Sequence, residues 1–197
     1  MWVGWSWARK EIENYLIDPA VVQRSLGKKA PSRDEYQNAL DEAAETISAY
    51  SAARTALACE GFKNFWGEEV RKGYCFPKQI GKNVCLTKIG EIVRGYKGER
   101  LISEGDVQTK FKTLLPQFRP NGARFNDYLY CFAGKDLLYA MRAKLREWRF
   151  EPAVSSDLSP EDVFVEKIVS RIERLDNVWE WLPEWTILRQ LIEETDF

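Results

Sequence analysis

Two short stretches hold residue types able to act on a charged substrate. The first is "RKEIENYLIDP", in which Arg9 and Lys10 lead into Glu11 and Glu13, and Asp18-Pro19 follows. Carboxylates of this kind can ligate a hard divalent cation through oxygen. Arg9 also stands four residues before Glu13, so an ordinary i, i+4 ion pair on a helix flank explains the same residues without chemistry. The second stretch is "FAGKDLL", where Gly134 and Lys135 precede an apolar run. If a helix begins there, its backbone N–H groups and the lysine face whatever anion approaches. The spacing does not make a Walker-type loop, and a plain turn with Asp136 as the cap fits equally well.

The chain has no histidine among its 197 residues. That excludes imidazole acid–base catalysis, serine–histidine and cysteine–histidine nucleophile pairs, and most zinc hydrolase designs. Any chemistry must run on carboxylates, lysine, arginine or tyrosine, which favours oxygen-ligated Mg²⁺ or Mn²⁺ acting on phosphates.

Charge is close to balanced overall but unevenly placed. Residues 61–124 hold 13 Lys or Arg against 6 Asp or Glu, and residues 151–197 hold 4 against 12. Within the basic stretch Lys63, Arg71, Lys72, Lys78 and Lys82 alternate with aromatic residues. With Arg9 and Lys10 they form a candidate nucleic-acid face, cations neutralising phosphates and rings stacking on bases. The competing account places the rings in a core and the lysines on an ordinary surface. Trp179, Trp181 and Trp185 around Pro183 fit either internal docking of the last helices or a protein interface.

The elements that must position these residues are mostly helical. A helix is expected from about Ser6, with Ile12, Tyr15 and Leu16 on its apolar side. Asp18-Pro19 starts a second, which Gly27 ends. Ser32 with Glu35 has the capping-box form and opens one long helix over 33–60. Residues 61–105 suggest loops, short helices and a hairpin, and a short helix follows over 107–115. The aromatic run Phe125–Phe132 is expected as a strand, followed by the Gly134-Lys135 turn and a helix to Trp148, and Ser159-Pro160 is a further helix start. The expected class is therefore mostly α with a small β component, a helical insertion plus one strand-turn-helix unit. The expected division is residues 1–150 and an acidic helical appendage over 151–197. No run of about 18 apolar residues appears, so no membrane span is expected. Four cysteines without a CxxC pair read as reduced thiols of a cytoplasmic protein.

Taken in order, "RKEIENYLIDP" and "FAGKDLL" resemble two signatures of the TOPRIM-type nuclease domains of the overcoming-lysogenization-defect (OLD) family and its relatives, which accompany ABC-type ATPases. The likeness covers residues 5–26 and 125–145. It implies a divalent-metal-dependent DNA nuclease, often serving in defence against phage, with Mg²⁺ or Mn²⁺ as cofactor. It implies DNA and an ABC-type ATPase domain or subunit as partners. Under it Glu13, with Glu11 as second choice, is a metal-site carboxylate, and Lys135 stabilises charge on the scissile phosphate. Sites of this family also use a glutamate after an early strand and an Asp-x-Asp pair, and no Asp-x-Asp occurs in this sequence. The expectation is the C-terminal portion of such a nuclease, incomplete on its own. The alternative is a non-catalytic helical module that binds a protein partner or nucleic acid.

Overall fold

A computed structural model describes residues 8–62, 81–98, 100–150 and 158–194. Two compact units divide the chain, one of Met1–Asp41 with Ala133–Phe197 and the other of Glu42–Phe132. The helices beyond residue 158 therefore share a unit with the N-terminal segment.

In the first unit α1 is a single turn, Glu13–Leu16, and α2 spans Pro19–Leu26. The longer first helix expected from Ser6 is not formed over 8–12, where the chain bends instead, and Ser6 lies outside the described residues. Ile12 is half exposed, while Tyr15 and Leu16 are buried. The start of α2 follows its sequence signal: Asp18 Oδ1 accepts from Ala20 N at 2.8 Å and Pro19 takes the first helical position. Gly27, at φ +54°, ends it in a conformation that a residue with a Cβ rarely adopts. Helix α3 runs Arg33–Thr46, and Ser32 Oγ accepts from Glu35 N at 3.2 Å as the capping box requires.

The second unit is built on α4, Ser48–Cys59. The single helix expected over 33–60 breaks at Ile47, whose φ of −99° and ψ of 8° leave the helical basin. Neither glycine nor proline marks that break in the sequence. Helices α5, Lys82–Gly95, and α6, Glu104–Leu114, pack on α4. Its buried Ala49, Ala52, Ala53 and Ala56 permit close approach. Residues 82–95 are thus one helix of 14 residues in a stretch expected to hold loops, short helices and a hairpin, of which 63–80 lie outside the described residues.

The strand expected at Phe125–Phe132 is instead two helical turns, α7 at Ala123–Asn126 and α8 at Tyr128–Cys131. Among the described residues there is no strand, so the expected β component is corrected. The physical reason is the period. Tyr128 and Phe132, four apart, are buried, while Tyr130 is exposed and Leu129 half-buried, which follows a helical turn. A short aromatic run carries no alternation that would separate the two structures.

Returning to the first unit, α9 covers Gly134–Ala140, α10 Arg142–Glu147, α11 Pro160–Ile172 and α12 Pro183–Glu194. Helix α11 begins at Ser159, whose Oγ accepts from Asp162 N, and packs on α2 and α10. Buried Val163, Phe164 and Ile168 on α11 and Val21 and Val22 on α2 line this core. Each such side chain contributes about 1.5–3 kcal/mol by leaving water. Tyr36 closes it, stacking on Phe164 at 6.3 Å and donating its hydroxyl to Ile17 O at 2.9 Å. Trp185 stacks on Tyr15 at 6.3 Å and Trp181 is buried beside it, so internal docking accounts for those two tryptophans. No helix among the described residues is long and apolar enough to cross a membrane. The described cysteines, Cys59, Cys85 and Cys131, form no disulfide.

Candidate functional site

The two motifs, 120 residues apart in sequence, meet in the first unit. Asn14, fully buried within α1, is the junction. Its Oδ1 accepts from Glu11 N at 3.0 Å and from Gly134 N at 3.1 Å. Glu11 Oε2 accepts from Lys135 N at 3.2 Å. Helix α9 has no side-chain cap of its own, since its cap residue is Ala133. Its first two N–H groups are satisfied instead by Asn14 of α1 and by Glu11 in the bend before it, which meets the need every helix start has. Asp136, expected as the cap, lies inside the helix and is buried. Those N–H groups are consequently engaged by the chain's own Asn14 and Glu11, and the anion site expected at this turn rests on Lys135 alone.

Gly134 is required by proximity, not by its dihedral angle. A Cβ there would stand 2.6 Å from Asn14 N and 2.8 Å from Glu13 Cβ. The close approach brings Lys135 Nζ to 3.5 Å from Glu13 Oε1. Glu13 is mostly covered at 17% side-chain exposure, whereas Lys135 is 70% exposed. With the lysine mostly in solvent, a pair at that distance is held weakly, and the lysine can exchange its carboxylate for another anion.

Arg9 does not form the expected pair with Glu13. It is buried at 5% exposure and its guanidinium bridges Asp18 Oδ2 at 2.7 Å, Glu184 Oε1 at 2.9 Å and the Asn14 carbonyl at 3.0 Å. It also lies over the Tyr15 ring at 4.9 Å. Burial pulls its pKa down, but the hydrogen bonds it donates to Glu184 and Asp18, with their negative charge, outweigh it, and the net shift is upward. Arg9, expected on a nucleic-acid face, is instead a cation tying α1, α2 and α12 together. Lys10 is exposed, as is Lys82 at the start of α5. Lys63, Arg71, Lys72 and Lys78 lie outside the described residues.

The donor set for a divalent cation is limited. Glu11 and Glu13 offer the oxygen ligands that Mg²⁺ and Mn²⁺ prefer, but Glu11 is also spent on Lys135 N. Among the described residues no group of three or more acidic, cysteine or histidine side chains is placed to hold a metal. The residues present fit one carboxylate contribution to a metal site and not a complete site. Cys85 is no alternative nucleophile, because burial pushes its thiol up to about 12.

Asn14 is the residue sequence reasoning passed over. Its signal was available, a polar side chain between the apolar positions of "EIENYL", where only a hydrogen-bonded partner makes burial tolerable. Set against protein-family models, curated proteins and solved structures, the chain matches none of them.

Proposed function

We propose that this chain is the C-terminal portion of a metal-dependent, TOPRIM/OLD-like DNA nuclease, acting with DNA and an ABC-type ATPase, and inactive until the remaining acidic residues are supplied. The single observation supporting this reading is the junction of the two motifs: Gly134 seated on the backbone of Glu13 and Asn14, and Lys135 Nζ 3.5 Å from Glu13. Glu13 offers a carboxylate oxygen to a divalent ion, with Glu11 behind it. Lys135, mostly in solvent, leaves Glu13 to meet a phosphate oxygen and hold developing negative charge. The chemistry a divalent cation supplies at such a site is neutralisation of phosphoryl oxygens.

Duplex-DNA binding measured with and without Mn²⁺ tests this. The full chain should bind more tightly with the metal and leave plasmid uncut. Glu13→Gln and Lys135→Met, each shown folded by circular dichroism, should lose the metal-dependent increment. Plasmid cleavage by the chain alone would overturn the incomplete-site part. Metal-dependent binding indifferent to both substitutions would overturn the site.

A second reading has its own support. Asn14 and Glu11 already satisfy the start of α9, and this makes "EIENYL" a structural clasp in a non-catalytic helical module. The same titration separates the two, since a clasp predicts no metal effect at all.

A further inference from the structure

Away from the Glu13–Lys135 junction, the first unit carries a cavity of about 550 Å³. Five cations line it: Lys29, Arg149, Lys167, Arg171 and Arg174. Among the described residues no carboxylate lines it and none of the five forms an ion pair. Residues 151–197 hold only four Lys or Arg against twelve acids, yet three of those four face this one cavity. Lys167, Arg171 and Arg174 recur at i, i+4 and i+7, on one side of α11 and the turn after it. Lys29 arrives from the turn after α2, and Arg149 from the end of α10.

Cations at a helix C-terminus complement its dipole, which accounts for Arg171 and Arg174. It does not account for Lys29 and Arg149, which come from other segments. Like charges gathered with no counter-charge among the described residues repel one another, and an anion of more than one charge relieves the arrangement.

The rest of the lining selects among anions. Trp148 and Phe150 stand at the cavity with ring centroids 6.4 Å apart and planes at 69°. The indole is fixed, because Trp148 Nε1 donates to Glu35 Oε1 at 2.8 Å, and Phe150 packs on Phe164 at 5.3 Å. Rings held in place beside phosphate-binding cations suit a flat base next to its phosphate. Between the two rings Arg149 adopts φ +49°, in the left-handed region where glycine or asparagine ordinarily closes a helix. An arginine is therefore retained at a position whose backbone favours glycine.

We propose that this cavity binds a nucleotide unit, its phosphates held by the five cations and its base on the Trp148 and Phe150 rings. The site is independent of Glu13 and Lys135. Two sources share this chemistry, a free nucleotide and one residue of a single strand.

The test uses the full chain in EDTA, which removes any metal-dependent contribution from the Glu13 region. Fluorescence anisotropy of a labelled 12-nucleotide single strand is followed, with competition by a nucleoside triphosphate and by inorganic phosphate. Binding should occur, and Lys167→Gln with Arg171→Gln should weaken it about tenfold or more, as the loss of charge-assisted contacts implies. Arg149→Gly should weaken it several-fold without lowering the melting temperature, because glycine suits that backbone. Competition by the triphosphate at micromolar concentration identifies a free nucleotide as the source, and competition only by unlabelled strand identifies the strand. The proposal is overturned if neither strand nor triphosphate binds. It also fails if the double variant binds as well as the parent, or if inorganic phosphate competes as strongly as the nucleotide.

Discussion

Replacing Gly134 with alanine tests the close approach on which the whole motif junction depends. Gly134 sits in the first turn of α9, where alanine is ordinarily the better residue by about 1 kcal/mol. Here the added methyl would meet Asn14 N at 2.6 Å and the Glu13 carbonyl carbon at 2.9 Å. These are backbone atoms, which cannot rotate away as a side-chain tip can. Ordinary carbon contacts lie near 3.5–4.0 Å, so α1 and α9 must part by about 1 Å. Overpacking of that size costs about 1–3 kcal/mol. The same movement stretches the bond from Gly134 N to Asn14 Oδ1, now 3.1 Å, and a buried N–H left unpaired costs a further 1–3 kcal/mol, roughly. Set against the helix propensity gained, the net loss is about 3 kcal/mol. For a chain of this length that corresponds to roughly 6–12 °C in melting temperature. Thermal unfolding followed by far-UV circular dichroism reads it directly. Gly105→Ala is the control, since it lies in the first turn of α6 with its nearest neighbour, Ser103 Oγ, at 3.6 Å. It should leave stability unchanged or raise it slightly. A Gly134→Ala variant as stable as the parent would refute the contact between the two motifs, and with it the argument that brings Lys135 to Glu13.

Two further outcomes follow from charges held in place. Arg9→Met should cost about 3–5 kcal/mol in urea unfolding, because Asp18 and Glu184 are left covered and uncompensated. Arg9→Lys should recover only part of that, since an ammonium cannot span both carboxylates and the Asn14 carbonyl as the guanidinium does; full recovery would show that the fork geometry is unimportant. In the second unit Lys110 donates to Glu60 at 2.6 Å and, with Arg100 adding attraction, holds its carboxyl below the ordinary value. A carboxyl depressed in the folded state stabilises the fold above its unfolded pKa, and that contribution is lost as pH falls through the folded one. Stability should therefore decline as pH drops below about 4.3, with Lys110→Met flattening part of that decline. An identical acid limb in the variant would remove Glu60 from the account.

Local signals in the sequence carried the helix starts. Asp18-Pro19, Ser32 with Glu35, and Ser159-Pro160 all act within three residues, and each cap forms as its chemistry requires. What was not legible depends on partners distant in the chain. At Phe125–Phe132 the aromatic types favoured a strand, but Phe132 packs edge-on against Phe118 at 5.1 Å, and that tertiary contact is satisfied by helical turns. The break at Ile47 has no local cause in glycine or proline, and the apolar stripe continues through it, with Ala44, Ile47 and Tyr50 all buried.

The same distinction decides what could be read of the candidate site. Glu13 and Lys135 stand out in the sequence by type, a carboxylate and a lysine beside a glycine, but their approach to 3.5 Å depends on the fold. Arg9 was misread because its natural neighbour by spacing was Glu13, whereas a buried guanidinium is placed where its several donors are satisfied together. Asp18, nine residues on, and Glu184, 175 residues on, meet that demand. The rule extends to the cavity lined by Lys29, Arg149 and α11. In the sequence Lys167, Arg171 and Arg174 are three cations diluted in an acidic tail, and only folding removes the dilution. A cluster made by convergence is invisible to any count along the chain, so a net charge by segment locates surfaces poorly in a helical protein. The charge that matters is the one left without a partner after folding, and by that measure three cations of the most acidic segment join Lys29 and Arg149 in a basic feature that no segment count shows.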